Sequence, residues 1–76
     1  MNYNIYANNA NCSLVKFHVY ATDEDQPTSD DLFLVAENVC DEFEAIAEFC
    51  RTLNPKDQHD LKLIECAKKY WGYKLD

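Results

Sequence analysis

Residues 32–57 read LFLVAENVCDEFEAIAEFCRTLNPKD, and the fold depends on where a strand ends and a helix begins within this stretch. The five consecutive apolar residues at 32–36 suit a buried strand, whereas the apolar positions up to residue 53 also keep the four-three spacing of a helix. We predict a third strand over Leu32 to Ala36 and a helix over Val39 to Leu53. One continuous helix from Ser29 is the alternative.

Helix-capping signals favour the strand-then-helix interpretation. Asp41 is followed three residues later by Glu44, a spacing that resembles a capping box with Asp in place of Ser or Thr. Asn38 is a second residue suited to start a helix. A start at either residue indicates a new element after the apolar run.

The clearest boundary in the chain is Asn54-Pro55. Asn is a favoured N-cap and Pro is tolerated at the first helical position, where no N–H donor is needed, so we predict that a second helix begins at Pro55. Gly72 is expected to end it. Because the connection between the two helices is short, we expect them to lie antiparallel.

The residues before this region predict a hairpin. Alternating apolar and polar residues mark strands over Asn2 to Ala7 and Ser13 to Ala21, joined by an Asn-rich turn. We therefore expect an α+β fold in the order β-β-β-α-α, in which a three-stranded antiparallel sheet packs against a two-helix hairpin. The continuous-helix alternative gives β-β-α-α. Residues 1–76 form a single domain in either case.

Charge is unevenly distributed along the chain, whose formal net charge is −7. No Lys or Arg lies between Lys16 and Arg51, whereas ten acids do. A block of one sign projects a field that attracts oppositely charged surfaces. The block disfavours direct nucleic-acid or anionic-membrane binding and favours a basic partner protein, although solubility alone also explains an acidic surface.

The acids fall into two groups. A polar loop carries one group, and the other recurs on one predicted face of the first helix and its lead-in, at i, i+4, i+7 and i+11. Tyr6 and Tyr20 are candidate aromatic anchors if they project from the outer face of the sheet. The predicted partner-binding residues are Asp23, Glu24, Asp25, Asp30, Asp31, Glu37, Asp41, Glu44, Glu48, Tyr6 and Tyr20.

Catalytic and metal-binding patterns are weak. The acids lie along a helix and a loop with no sign of a desolvated pair, and the one Gly near the C-terminus supplies no phosphate-binding loop. The four cysteines are widely spaced without a CxxC pair, so buried thiols are expected rather than disulfides or a zinc site. We therefore expect no enzyme activity, no metal and no cofactor.

No basic segment followed by an apolar run is present near Met1, and no stretch of the chain approaches the length of an apolar membrane span, so we expect a cytoplasmic protein. We further expect a monomer or homodimer. In its size, acidity and lack of catalytic motifs, the chain resembles the small phage anti-defence proteins, namely anti-CRISPR proteins and DNA mimics. The resemblance implies a non-catalytic inhibitor whose carboxylates replace phosphates in the basic nucleic-acid site of a bacterial defence complex, such as a CRISPR effector subunit. The alternative is an interaction module or antitoxin-like subunit that binds through an apolar and aromatic surface.

Overall fold

The computed structural model describes residues 1–74 and has the predicted α+β order. Its elements are β1 (Tyr3–Asn8), β2 (Phe17–Ala21), β3 (Leu32–Val39), α1 (Glu42–Arg51) and α2 (Gln58–Tyr70). The continuous helix from Ser29 is wrong, because the apolar run at 32–36 pairs with β1 instead. No helix within residues 1–74 has the length and apolar character needed to cross a membrane.

The three strands form one antiparallel sheet in the order β2-β1-β3. Ile5 of the central strand pairs with Val19 on one side and with Ala36 on the other. The pairing with β3 is irregular on both sides of Ile5, and Asn38 adopts a φ of 58°. Asn tolerates this left-handed conformation, so the ladder continues to Val39, three residues beyond the predicted end of the strand.

One face of the sheet packs against the helices. Side chains alternate between the two faces of a strand, so Ile5 and Ala7 of β1 face the helices while Asn4 and Tyr6 face the other way. The largest fully buried side chains of this core are Ile5, Ile46, Cys50, Leu63 and Ile64. Contacts of α1 with the sheet and with α2 complete a two-layer structure.

Side-chain caps set both helix starts. Of the two starts that the sequence offers, α1 uses Asp41, whose Oδ1 accepts from the Glu44 N–H at 3.1 Å. The helix therefore begins at Glu42, three residues after the predicted start at Val39, and ends at Arg51, two residues before the predicted end at Leu53. The predicted start of the second helix at Pro55 is three residues too early, because Asn54 accepts from the Lys56 N–H at 3.0 Å and so holds a turn. Asp57 is the true N-cap, with its Oδ2 accepting from the N–H of Asp60 at 3.0 Å.

The segment between β2 and β3, residues 22–31, crosses the sheet. Both outer strands run antiparallel to β1, so β2 ends beside Tyr3 whereas β3 begins beside Asn8, at the opposite end of the central strand. The connection must therefore pass over one face of the sheet. Because it contacts Asn4 and Tyr6, it passes over the face opposite the helices. We call residues 22–31 the acidic strap.

Candidate acidic binding surface

Gln26 attaches the middle of the acidic strap to the sheet. Its Oε1 accepts hydrogen bonds from Asn4 Nδ2 and from the Tyr6 hydroxyl, both at 3.0 Å. Its Nε2 donates to the backbone carbonyls of Ala21 and Glu24, both at 2.9 Å. The amide thus joins the strap to the middle of the central strand and to the end of β2.

The two ends of the acidic strap are also held. At the first end, the Glu24 carboxylate accepts from the Ala21 N–H at 2.6 Å. At the second end, Asn9 donates its backbone N–H to the Asp31 carbonyl at 2.8 Å and its side-chain amide to the Asp30 carbonyl at 3.1 Å. The strap therefore has a defined path, although the sequence alone indicates only a flexible polar loop.

Most carboxylates of the acidic strap face solvent without an internal partner. The side chains of Asp23, Asp25, Asp30 and Asp31 are exposed and accept no hydrogen bond from residues 1–74. Within the same described range, the one ion pair is between His59 and Asp60, at 3.9 Å, and no Lys or Arg lies within 4.0 Å of a carboxylate. The negative field of the strap is therefore not neutralised by contact with the protein's own cations.

The four acids predicted to share a helical face do not do so. Glu37 lies in β3, and Asp41 is the N-cap of α1 with its carboxylate turned to the helix backbone. The predicted row of acids on one helical face is too long, because β3 runs past its predicted end and includes Glu37. Only Glu44 and Glu48 remain as exposed acids on α1 itself.

The structure also separates these helical acids from the acidic strap. Helix α1 packs on one face of the sheet, and the strap crosses the other. The nine predicted acids therefore do not form one continuous surface. The strap holds five of them, namely Asp23, Glu24, Asp25, Asp30 and Asp31.

Tyr6 and Tyr20 lie on the face that the acidic strap crosses, as expected. Their rings form an edge-to-face pair with centroids 5.8 Å apart, and both side chains are half-buried. The Tyr6 hydroxyl donates to Gln26, so this residue supports the strap as well as being near it. Leu34, 47% exposed, lies opposite Tyr6 in β3 and supplies apolar surface on the same face.

The sequence alone does not identify Gln26 and Asn4 as the residues that attach the acidic strap to the central strand. Gln26 is the one long amide in the run TDEDQPTSDD, and Asn4 is a polar residue in the strand alternation of β1. These are the available signals. Neither residue indicates in the sequence that the other is its partner, because the contact spans 22 residues and depends on the strand order.

Metal-ligating side chains come together at the start of α2. Ligand atoms of Asp57, His59 and Asp60 lie within 4.8 Å of one another. Helix capping explains the arrangement, because Asp57 accepts from the Asp60 N–H and Asp60 accepts from the Asn54 N–H. His59 is held by a 2.9 Å contact between its Nε2 and the Asn8 carbonyl.

The cysteines differ in their surroundings. Cys50 and Cys66 are buried as expected, but Cys12 is half-buried and Cys40 is exposed. Burial raises the pKa of the Cys50 thiol to about 11, and the neighbouring Cys66 adds to the rise. A buried thiol with a raised pKa is a packing group rather than a nucleophile.

Comparisons with protein-family models, with curated proteins and with solved structures find no match for this chain. The arrangement and charge of the acidic strap are therefore the basis on which we infer a function.

Proposed function

We propose that this protein is a non-catalytic inhibitor of the anti-CRISPR type, which binds the basic, nucleic-acid-binding surface of a bacterial defence complex. Its carboxylates occupy the positions of nucleic-acid phosphates and block access by charge mimicry. The observation that carries the proposal is the acidic strap, an anchored segment whose exposed carboxylates contact none of the protein's own cations within residues 1–74.

The chemistry of such a partner site matches the acidic strap. A surface that holds nucleic acid presents Lys and Arg side chains, and an Arg guanidinium donates paired hydrogen bonds to a carboxylate as it does to a phosphate. Because Gln26 already holds the strap against the sheet, less conformational freedom is lost on binding than from a free loop. Direct nucleic-acid binding is disfavoured by the net charge of −7.

A second candidate function is an interaction module that binds through aromatic surface. It is favoured by Phe43, which is 52% exposed although its ring lies 5.3 Å from that of Trp71, and by Tyr70, which is 66% exposed. Tyr and Trp are enriched among residues that contribute most to binding energy at interfaces. Such binding would depend little on salt, whereas charge mimicry depends on it strongly.

Affinity capture with matched variants tests the proposal. The strap variant Asp23→Asn/Asp25→Asn removes two exposed charges from the acidic strap without touching its internal hydrogen bonds. The control variant Glu44→Gln/Glu48→Gln removes two exposed charges from α1, on the other face of the sheet. Each protein is immobilised and exposed to a nuclease-treated bacterial lysate, and bound proteins are eluted by rising salt and by added duplex DNA.

We expect wild type and the control variant to capture a nucleic-acid-binding protein that DNA displaces, and the strap variant to lose it at lower salt. Equal loss from the two variants would indicate attraction to net charge alone and would contradict a strap interface. Capture that survives high salt in all three proteins would favour the aromatic interaction module instead.

A further inference from the structure

A groove lies on the helical side of the molecule, between residues 14–17 and the C-terminal part of α2. Its volume is about 670 Å³, within the range of roughly 300–1,000 Å³ that is typical of small-molecule sites. Leu14 and Tyr70 are 64% and 66% exposed at its edge. The apolar side chains that line it are Leu14, Val15, Phe17, Cys66, Tyr70 and Trp71.

The charged side chains of the groove carry a net positive charge, opposite in sign to that of the protein as a whole. Three lysines, Lys16, Lys62 and Lys69, line it together with one acid, Glu65. None of these lysines lies within 4.0 Å of a carboxylate of residues 1–74. The groove is thus locally cationic in a chain whose net charge is −7.

The arrangement on α2 places the cations around the apolar surface. Lys62, Cys66 and Lys69 lie at i, i+4 and i+7 and therefore share one helix face, with the buried Cys66 between the two lysines. Lys69 Nζ lies 5.3 Å from the centre of the Tyr70 ring, in a cation–π contact at the groove. An anionic head bound by these lysines would leave the rest of a ligand over the apolar lining.

We propose that this groove binds a small amphipathic anion, with an aromatic or acyl body and one carboxylate, sulfonate or phosphate head. Burial of the apolar body supplies affinity, and Lys16, Lys62 and Lys69 select the charge of the head. The site is independent of the acidic strap, which crosses the other face of the sheet. The two can therefore be tested separately.

The sole tryptophan of the chain, Trp71, lines the groove and serves as the reporter. Its fluorescence is followed while decanoate is added below its micelle concentration, and decyltrimethylammonium serves as the cationic probe of equal chain length. Amide chemical shifts of residues 14–17 and 62–71 are recorded in the same titrations by NMR. These amide shifts detect binding even where the fluorescence of Trp71 does not change.

Two double variants separate local charge from total charge. Lys62→Met/Lys69→Met removes two groove cations while keeping long apolar side chains. Lys56→Met/Lys68→Met removes two cations that do not line the groove. Thermal unfolding of both variants establishes that each is folded before binding is measured.

We expect saturable decanoate binding that is about tenfold tighter than decyltrimethylammonium binding, and about fivefold weaker in Lys62→Met/Lys69→Met than in wild type, with the control variant unchanged. No saturable change in fluorescence or amide shifts would overturn the proposal. Equal binding of the two amphiphiles, or equal weakening in the two variants, would also overturn it. The same holds if sedimentation shows a protein dimer and decanoate does not shift the amide resonances of the groove.

Discussion

Replacing Gln26 with Met should release the middle of the acidic strap from the sheet. Met has a similar length but neither donates nor accepts strongly, so the substitution removes the bonds to Asn4, Tyr6, Ala21 and Glu24 together. The core between sheet and helices is untouched, because Gln26 lies on the opposite face. The perturbation therefore isolates the attachment of the strap.

The magnitude follows from the four hydrogen bonds. Each contributes roughly 0.5–1.5 kcal/mol net, or about 2–6 kcal/mol if they were independent and fully buried. Gln26 is only half-buried, and water can replace part of each contact. We therefore expect the free energy of unfolding to fall by about 1–3 kcal/mol, which lowers the melting temperature of a domain of this size by roughly 4 °C or more.

Urea unfolding and native-state hydrogen exchange measure this effect. The matched control is Gln58→Met, at the exposed first residue of α2, where we expect a change within about 0.5 kcal/mol. In Gln26→Met the Glu24 amide, which donates to the Ala21 carbonyl at 3.1 Å, should exchange faster, while amides in the middle of α2 should keep most of their protection.

Equal stability of Gln26→Met and Gln58→Met, with unchanged exchange at Glu24, would refute the idea that the Gln26 amide holds the middle of the acidic strap.

Three further predictions concern other parts of the fold. Gly72→Ala should lower the free energy of unfolding by about 1 kcal/mol through backbone strain alone, since φ is 66° and no atom lies within 4 Å of the new Cβ. Gly72→Asn should lower it less, because Asn tolerates positive φ better. Equal stability of wild type and the two variants by urea unfolding would contradict this. Partial burial and then Lys16 lower the pKa of His18, so the folded state binds fewer protons than the unfolded state and stability should fall as pH drops below about 6.5. Urea unfolding at pH 7.5 and 5.5 should show a smaller drop in His18→Gln than in wild type, and equal drops would exclude this contribution. Cys40 should react with a thiol reagent at pH 8 much faster than Cys50, of which only about one in a thousand is thiolate at a pKa of about 11. Mass spectrometry of the labelled protein shows which cysteine is labelled first. Comparable rates would contradict the burial of Cys50.

The sequence predicts local features well where one signal dominates. The conclusion that the apolar run at 32–36 is a strand is confirmed. Asp41 is the N-cap of α1 and is one of the two starts that the sequence offers, but the predicted first helical residue, Val39, lies in β3. The start of α2 is misplaced because Asn54 has two competing uses, as a helix cap or as the first residue of a turn, and the turn is what forms. Such competition is settled by tertiary context rather than by local preference.

The candidate surface depends on features that local signals do not contain. The acidic strap crosses the sheet because β1 lies between β2 and β3, and no local pattern indicates that order. The prediction that four acids share one helical face is wrong, because β3 continues past Glu37. The pairing of β3 is irregular near Ile5, and Asn38 is at positive φ. The acidic composition was visible in the sequence, but its division between two faces of the sheet was not.

The central claim is that the acidic strap binds a basic, nucleic-acid-binding surface. Its most direct test is the salt dependence of affinity for the captured partner, measured for wild type, Asp23→Asn/Asp25→Asn and Glu44→Gln/Glu48→Gln. We predict a steep fall in wild-type affinity with salt, a weaker affinity and shallower slope for the strap variant, and a wild-type slope for the α1 variant. Identical affinities and slopes for wild type and the strap variant would contradict the claim.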